Sequence, residues 1–141
     1  VIGRFLNMGL EPYHFLSSLN CLLTQRLVRV LCRSCRRPVR YPQEQLKELG
    51  LDPGRDGILT FYDAVGCEEC QGSGFRGRTA VAELVEITDP IRSLIMDRRP
   101  AGEIYGAAKA GGTELLREVA LGKARAGVTT VTEINRVTFA E

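Results

Sequence analysis

The sequence predicts an α+β chain in which a few strands surround a small cysteine-bearing segment and a bundle of short helices follows. Three observations carry that expectation. Two runs rich in β-branched residues, RLVRVL and TAVAELVEI, each lie close to a pair of cysteines two residues apart. The last third is crowded with helix start and stop signals. There is no Trp among 141 residues, so several small cores with some further staple are expected rather than one large core.

Taken in order, Ile2, Phe5 and Leu6 have helical spacing, and Gly9 is placed to end that helix. Glu11-Pro12 reads as the next start. Phe15, Leu16, Leu19, Leu22 and Leu23 then form a broad apolar stripe, which predicts a buried helix with Cys21 packed beside it as an inert thiol. His14 is the sole histidine; without a second imidazole it is assigned no catalytic or metal role. Arg26 to Cys32 reads as a short strand. Pro38 to Pro53 is a polar insertion with one helix expected over Gln43 to Leu49. Ile58 to Val65 is a strand by composition, and Thr79 to Ile87 alternates well enough to bury one face.

Asp89-Pro90 opens a helix with Ile91, Leu94 and Ile95 on one face, stopped by Arg98, Arg99 and Pro100. Another is expected over Gly102 to Ala110, ended by Gly111-Gly112. Thr113 starts a third, with Leu115, Leu116 and Val119 inward and Gly127 as its cap. Thr130 and Glu133 have capping-box spacing for a final helix carrying Ile134 and Val137.

The totals exclude several classes. With 44% hydrophobic and 26% charged residues the balance is globular, not disordered. No apolar run approaches the length of a membrane span, so any membrane association is expected through a partner. VIGRFLNMGL does not resemble a signal peptide and opens in mid-pattern, so the true start is expected upstream. A net charge of +2 is too small to argue for nucleic acid. The charge is uneven, however: Arg26, Arg29, Arg33, Arg36, Arg37 and Arg40 follow one another without an intervening acid. Such a run is either the solvated rim of a small loop or a surface for phosphate, acidic lipid or an acidic partner.

Four of the five cysteines fall into two pairs, Cys32/Cys35 and Cys67/Cys70, separated by thirty-one residues. A two-residue gap lets both thiolates of a pair face one point, and two such knuckles supply the four sulfurs that a tetrahedral Zn²⁺ requires. Gly66, Gly72 and Gly74 permit the sharp backbone of such a turn. The arginines of the first pair help offset the charge that four thiolates leave around one zinc. A closed four-sulfur site has no open position, so the metal would hold the fold and not catalyse. Iron–sulfur ligation shares this spacing. A disulfide framework fits less well, because one thiol is left over and no secretory signal is present. A thioredoxin-like site would need one C-x-x-C at a strand-to-helix turn. The repeat C-x-x-C-x-G-x-G at Cys67 to Gly74 also occurs in the zinc region of J-domain chaperones, but that family strings four copies together and only one is present here.

As a whole, NMGLEP, SSLNCLLTQRLVRVLCRSC, VGCEECQGSGFRGRTAVAEL and KARAGVTTVTEINRVT resemble, in that order, the carboxy-terminal portion of the type II secretion and type IV pilus assembly ATPase family. The resemblance covers essentially the entire chain. It implies a three-part organisation: residues 1–31 as the edge of a RecA-like ATPase domain, 32–80 as a tetracysteine zinc module, and 81–141 as a strand with a helical carboxy-terminal subdomain. It also implies a parent that is a homo-hexameric ATPase, using ATP and Mg²⁺, on the cytoplasmic face of the bacterial inner membrane. There the parent would act through a membrane platform protein, with Cys32, Cys35, Cys67 and Cys70 as zinc ligands. Retraction-type relatives usually lack these cysteines, so their presence favours assembly or secretion. Thr24, Phe75, Ala80 and Ala82 depart from residues common in the family, and none is a metal ligand.

No G-x-x-x-x-G-K-[ST] loop occurs in the sequence; Gly122-Lys123 is followed by Ala124. The chain alone is therefore not expected to hydrolyse ATP. Arg26 and Arg29, nearest the implied ATPase core, are candidates for contact with nucleotide or a neighbouring subunit, or else solvated arginines on a strand edge. The alternative function is a free-standing zinc-stabilised module that binds protein or nucleic acid through the arginine run, with a chaperone-type module as a third reading.

Overall fold

The computed structural model describes residues 2–51 and 59–138. Helix and strand are mixed, and the α+β expectation holds. Two two-stranded ribbons organise the strands: β1 (Cys21–Leu31) with β4 (Phe75–Glu86), and β2 (Arg37–Val39) with β3 (Phe61–Asp63). The second is antiparallel, with Arg37 opposite Asp63 and Val39 opposite Phe61. In the first, Ile87 N–H donates to the Asn20 carbonyl at one end and Cys32 N–H to the Gly74 carbonyl at the other, so these strands also run in opposite directions. Helices described are α1 (Ile2–Asn7), α2 (Pro12–Leu16), α3 (Gln43–Glu48), α4 (Asp89–Met96), α5 (Ala101–Ala110), α6 (Leu116–Arg125) and α7 (Val131–Thr138).

Most of the boundaries follow from local chemistry. Gly9 ends α1 at φ +80°, with its own N–H on the Leu6 carbonyl and that of Leu10 on Phe5, a left-handed helix stop. Asp89 and Pro90 occupy the first turn of α4, although Thr88 is the capping residue. One expectation is corrected: the buried helix through Leu23 stops at Leu16. The Ser17 hydroxyl donates to the His14 carbonyl at 2.9 Å, and the chain turns through Ser18 and Leu19 into β1. A helix would have put Leu22 and Leu23 on one face; the strand separates them, leaving Leu23 62% exposed. Cys21, expected to be packed, is exposed for the same reason. The strand expected over Ile58 to Val65 narrows to β3; Ile58 and the insertion's Asp52 and Pro53 lie outside the described residues.

The chain divides into two compact units, Val1–Thr24 with Ala82–Leu115, and Gln25–Val81 with Leu116–Glu141. The first gathers Leu16, Val85, Ile87, Ile91, Ile95 and Ala108 into one core. The second buries Val28, Phe61, Val81, Ala120, Ala124 and Ile134 almost completely. Leu46, Leu49 and Leu51 of the polar insertion join that second core, so the insertion obtains its apolar partners from the far end of the sequence. The last two helices therefore belong with the cysteine segment, and α4 and α5 do not.

Candidate metal centre

The pairing of β1 with β4 decides where the cysteines go. Cys32 follows the last residue of β1, and Cys67–Cys70 lie just before the first residue of β4, so antiparallel pairing brings both pairs to one end of the ribbon. The β2–β3 ribbon leaves from the same place, since Cys35 precedes Arg37 and Asp63 precedes Cys67. Each C-x2-C pair is a tight turn. In the first, Arg36 N–H closes back on the Cys32 carbonyl at 3.0 Å. In the second, Glu68–Cys70 forms a single 3-10 turn, and Gln71 adopts a left-handed conformation after it.

Gly66 could be nothing else. Its φ is +107°, and a Cβ there would stand 2.5 Å from the Gly72 carbonyl oxygen.

All four Sγ atoms lie within 4.8 Å of one another, forming a group that can hold a metal ion. The recorded separations are 3.9 Å for Cys32–Cys67, 3.8 Å for Cys35–Cys70 and 3.7 Å for Cys67–Cys70. Four sulfurs placed tetrahedrally at about 2.3 Å from one ion are about 3.8 Å apart. A disulfide would require about 2.05 Å. The donor set and its geometry thus fit a four-thiolate metal site.

The backbone prepares the sulfurs for negative charge. Gly66 N–H donates to Cys35 Sγ at 3.3 Å, and both Cys67 and Gly74 N–H groups donate to Cys70 Sγ at 3.1 Å. Burial works to raise the Cys70 thiol, but those N–H groups and the neighbouring sulfurs outweigh it and bring it down to about 6. A backbone hydrogen bond works to lower Cys67; desolvation and the sulfurs of Cys70, Cys35 and Cys32 prevail and push it up to about 11. Outside the sulfurs, Ser34 Oγ donates to Glu69 Oε2 at 2.7 Å and ties one pair to the other. Sequence reading missed that bridge, which nothing in the spacing marks.

The two arginines singled out as contacts have different surroundings. Arg26 is exposed on β1. Arg29 is engaged within its own unit: its Nη2 meets Glu133 Oε1 at 2.6 Å, its backbone N–H meets Oε2 at 3.2 Å, and its guanidinium lies 4.0 Å from the Phe75 ring centroid. The segment AGVTTVTE owes its composition to this neighbourhood. Val128 O accepts Leu31 N–H at 2.8 Å, Thr129 Oγ1 donates to the Arg29 carbonyl at 2.8 Å, and Thr130 Oγ1 accepts Glu133 N–H at 3.1 Å. The expected capping box is thereby half made, because Glu133 turns its carboxylate to Arg29 and Arg136.

Two cysteine knuckles closed at the joint of two β ribbons define the class of molecule: an α+β region with a four-cysteine cluster able to hold a metal ion. Comparison with known proteins supplies the family. The family model described as "Type II/IV secretion system protein" matches residues 1–136, and the chain belongs to that family. It is 41% identical over 140 residues to the type II secretion system protein E of Pseudomonas aeruginosa, covering 99% of this chain and 27% of that protein. It is 38% identical over 134 residues to the type IV pilus assembly ATPase PilB of Myxococcus xanthus, covering 94% of this chain and 24% of the relative. A further relative, the type II secretion system protein E of Dickeya dadantii, is 41% identical over 141 residues, covering 99% of this chain and 27% of that protein. The chain spans about a quarter of the length of these curated relatives.

Proposed function

We propose that Cys32, Cys35, Cys67 and Cys70 bind one structural zinc ion, and that the chain is the accessory zinc-bearing and helical region of a hexameric ATPase powering type II secretion or type IV pilus assembly. The observation that carries this reading is the set of sulfur separations near the tetrahedral value, in a chain whose relatives are secretion and pilus ATPases. In this reading residues 1–31 edge the ATPase domain, 32–80 form the metal module, and 81–141 supply the strand and helices beyond it. ATP and Mg²⁺ are handled by the parent protein, outside this sequence. Arg26, exposed on its strand, is the residue we assign to contact with nucleotide or a neighbouring subunit, and Arg29 reaches such a contact only by leaving Glu133. No helix among the described residues is long and apolar enough to cross a membrane. In this reading the parent protein is attached to the cytoplasmic face of the inner membrane through a platform protein.

Bound zinc supplies no chemistry beyond a rigid fourfold tie, because all four positions are taken by sulfur. The residues of this chain do the rest: backbone N–H groups hold the thiolates, and Ser34 and Glu69 fix one knuckle against the other. Metal analysis of the purified chain tests the assignment. One zinc per chain is expected, and cobalt in its place should give the intense visible bands of a tetrahedral thiolate site. Iron with acid-labile sulfide would replace this reading with an iron–sulfur one. In cells, Cys67→Ser in the full-length protein is expected to abolish export or piliation; normal export would refute the accessory role.

A further inference from the structure

Arg36 is the residue immediately after the first metal knuckle, yet its side chain does not serve the sulfurs. Its Nη1 donates to the Gly127 carbonyl at 2.5 Å, ninety-one positions along the chain, and its guanidinium lies 4.6 Å from the centroid of the Tyr62 ring. Tyr62 belongs to β3, which leads into Gly66 and the second knuckle. Gly127 forms the turn between α6 and α7. That turn is closed against both partners: a Cβ on Gly127 would stand 2.7 Å from Arg36 Nη1 and 2.9 Å from Tyr62 Cδ2, and its φ is +66°. Arg36, directly after the first knuckle, and Tyr62, on the strand that leads to the second, thus grip a single backbone position of the turn between α6 and α7.

We infer that Arg36, Tyr62 and Gly127 form a latch that makes the α6–α7 turn report whether the metal centre is closed. The proposal rests on the metal reading above. The β2–β3 ribbon, with Arg37 opposite Asp63, brings Arg36 and Tyr62 side by side, and the two knuckles close the end of that ribbon from which both cysteine pairs leave, so parting the knuckles frays the ribbon at Arg36 and unseats both groups from Gly127. When the knuckles part, Gly127 loses its donor and its covering ring at once. The turn also supplies Val128 O to Leu31 N–H and begins the helix that places Glu133 on Arg29, so loosening it carries to the far side of β1. Arg36 and Tyr62 act as positioning residues, with no contact to the metal in this role.

Amide hydrogen exchange on the 141-residue chain, with zinc bound and after chelation, tests the latch, with metal content measured on the same samples. In the unaltered chain, the amides of Leu31, Gly127, Val128 and Glu133 should exchange at least about tenfold faster after chelation. In zinc-loaded Arg36→Ala the turn amides should exchange at that chelated rate, while those of Gly66, Cys67 and Gly74 stay protected and zinc remains at one per chain. Tyr62→Phe, which keeps the ring, should behave as the unaltered chain. Should Arg36→Ala fail to fold, Gly127→Ala with zinc bound offers the same separation of fast turn and protected knuckles. Zinc uptake with turn exchange unchanged by chelation would overturn the latch and leave the metal reading standing, as would an unaltered turn in zinc-loaded Arg36→Ala. A chain that takes up no metal would overturn both.

Discussion

Glu133 is only 1% exposed, yet it is charged, because three donors from Arg29 and Arg136 converge on it. The Arg29 guanidinium does most to hold its carboxyl down at about 2, against burial, with the Arg29 backbone N–H and Arg136 adding to it. A carboxyl depressed on folding stabilises fully above its ordinary value of 4.5, and the stabilisation is lost as pH falls through the folded value near 2. We expect about 3 kcal/mol from this group to disappear over that window. Urea unfolding of the unaltered chain and of Glu133→Gln at each pH should converge toward about pH 2; taking the difference removes effects common to both, metal release included. A second residue-scale expectation concerns Gly66. Its nearest neighbours are backbone atoms that cannot swing aside, so Gly66→Ala should cost about 2 kcal/mol or more and weaken zinc binding at least about tenfold in competition with a chelator.

At the scale of elements, β1 shows how tertiary pairing overrides an apolar pattern. The stripe from Phe15 to Leu23 fits a helix, but the two serines end α2 and the partner strand β4 claims the chain from Cys21 onward. The helices after Asp89 divide between the cores. Helices α6 and α7 pack Ala120, Leu121, Ala124 and Ile134 against Leu46, Leu49 and Phe61, whereas α4 and α5 supply Ile91, Ile95 and Ala108 to the other core. Cys67→Ser should therefore remove exchange protection from the knuckles, β2, β3 and α3, spread into α6 and α7, and spare α4 and α5. Hydrogen exchange read element by element checks this. Protection of α6 and α7 equal to that of the unaltered chain would show that the shared core does not transmit the loss.

For the whole molecule, two separate cores lead us to expect two stabilities. Apparent zinc-binding energies in comparable small sites are about 10–16 kcal/mol, larger than an ordinary domain's net stability. Chelation should accordingly lower or abolish one calorimetric transition, that of the unit holding the cysteines, and leave the other within a few degrees of its original midpoint. A single transition that shifts as one upon chelation would show that the cores unfold together.

The sequence by itself determined the α+β class, most helix boundaries and the family, and it picked out the four cysteines that the structure gathers into one cluster able to hold a metal ion. These are local matters: a C-x2-C turn, a proline at a helix start or a glycine at a helix end acts within a few residues and leaves its mark in the order of the chain. It also marked AGVTTVTEINRVT as a distinctive segment, without its reason. Only the tertiary structure decided that the last two helices join the cysteine segment, that Cys21 faces outward, that Glu133 answers Arg29 and that Arg36 reaches Gly127. Those partners are far apart in sequence, some by about a hundred positions. Each side chain alone is equally consistent with a solvated surface, and burial against a distant neighbour is what gives it its role.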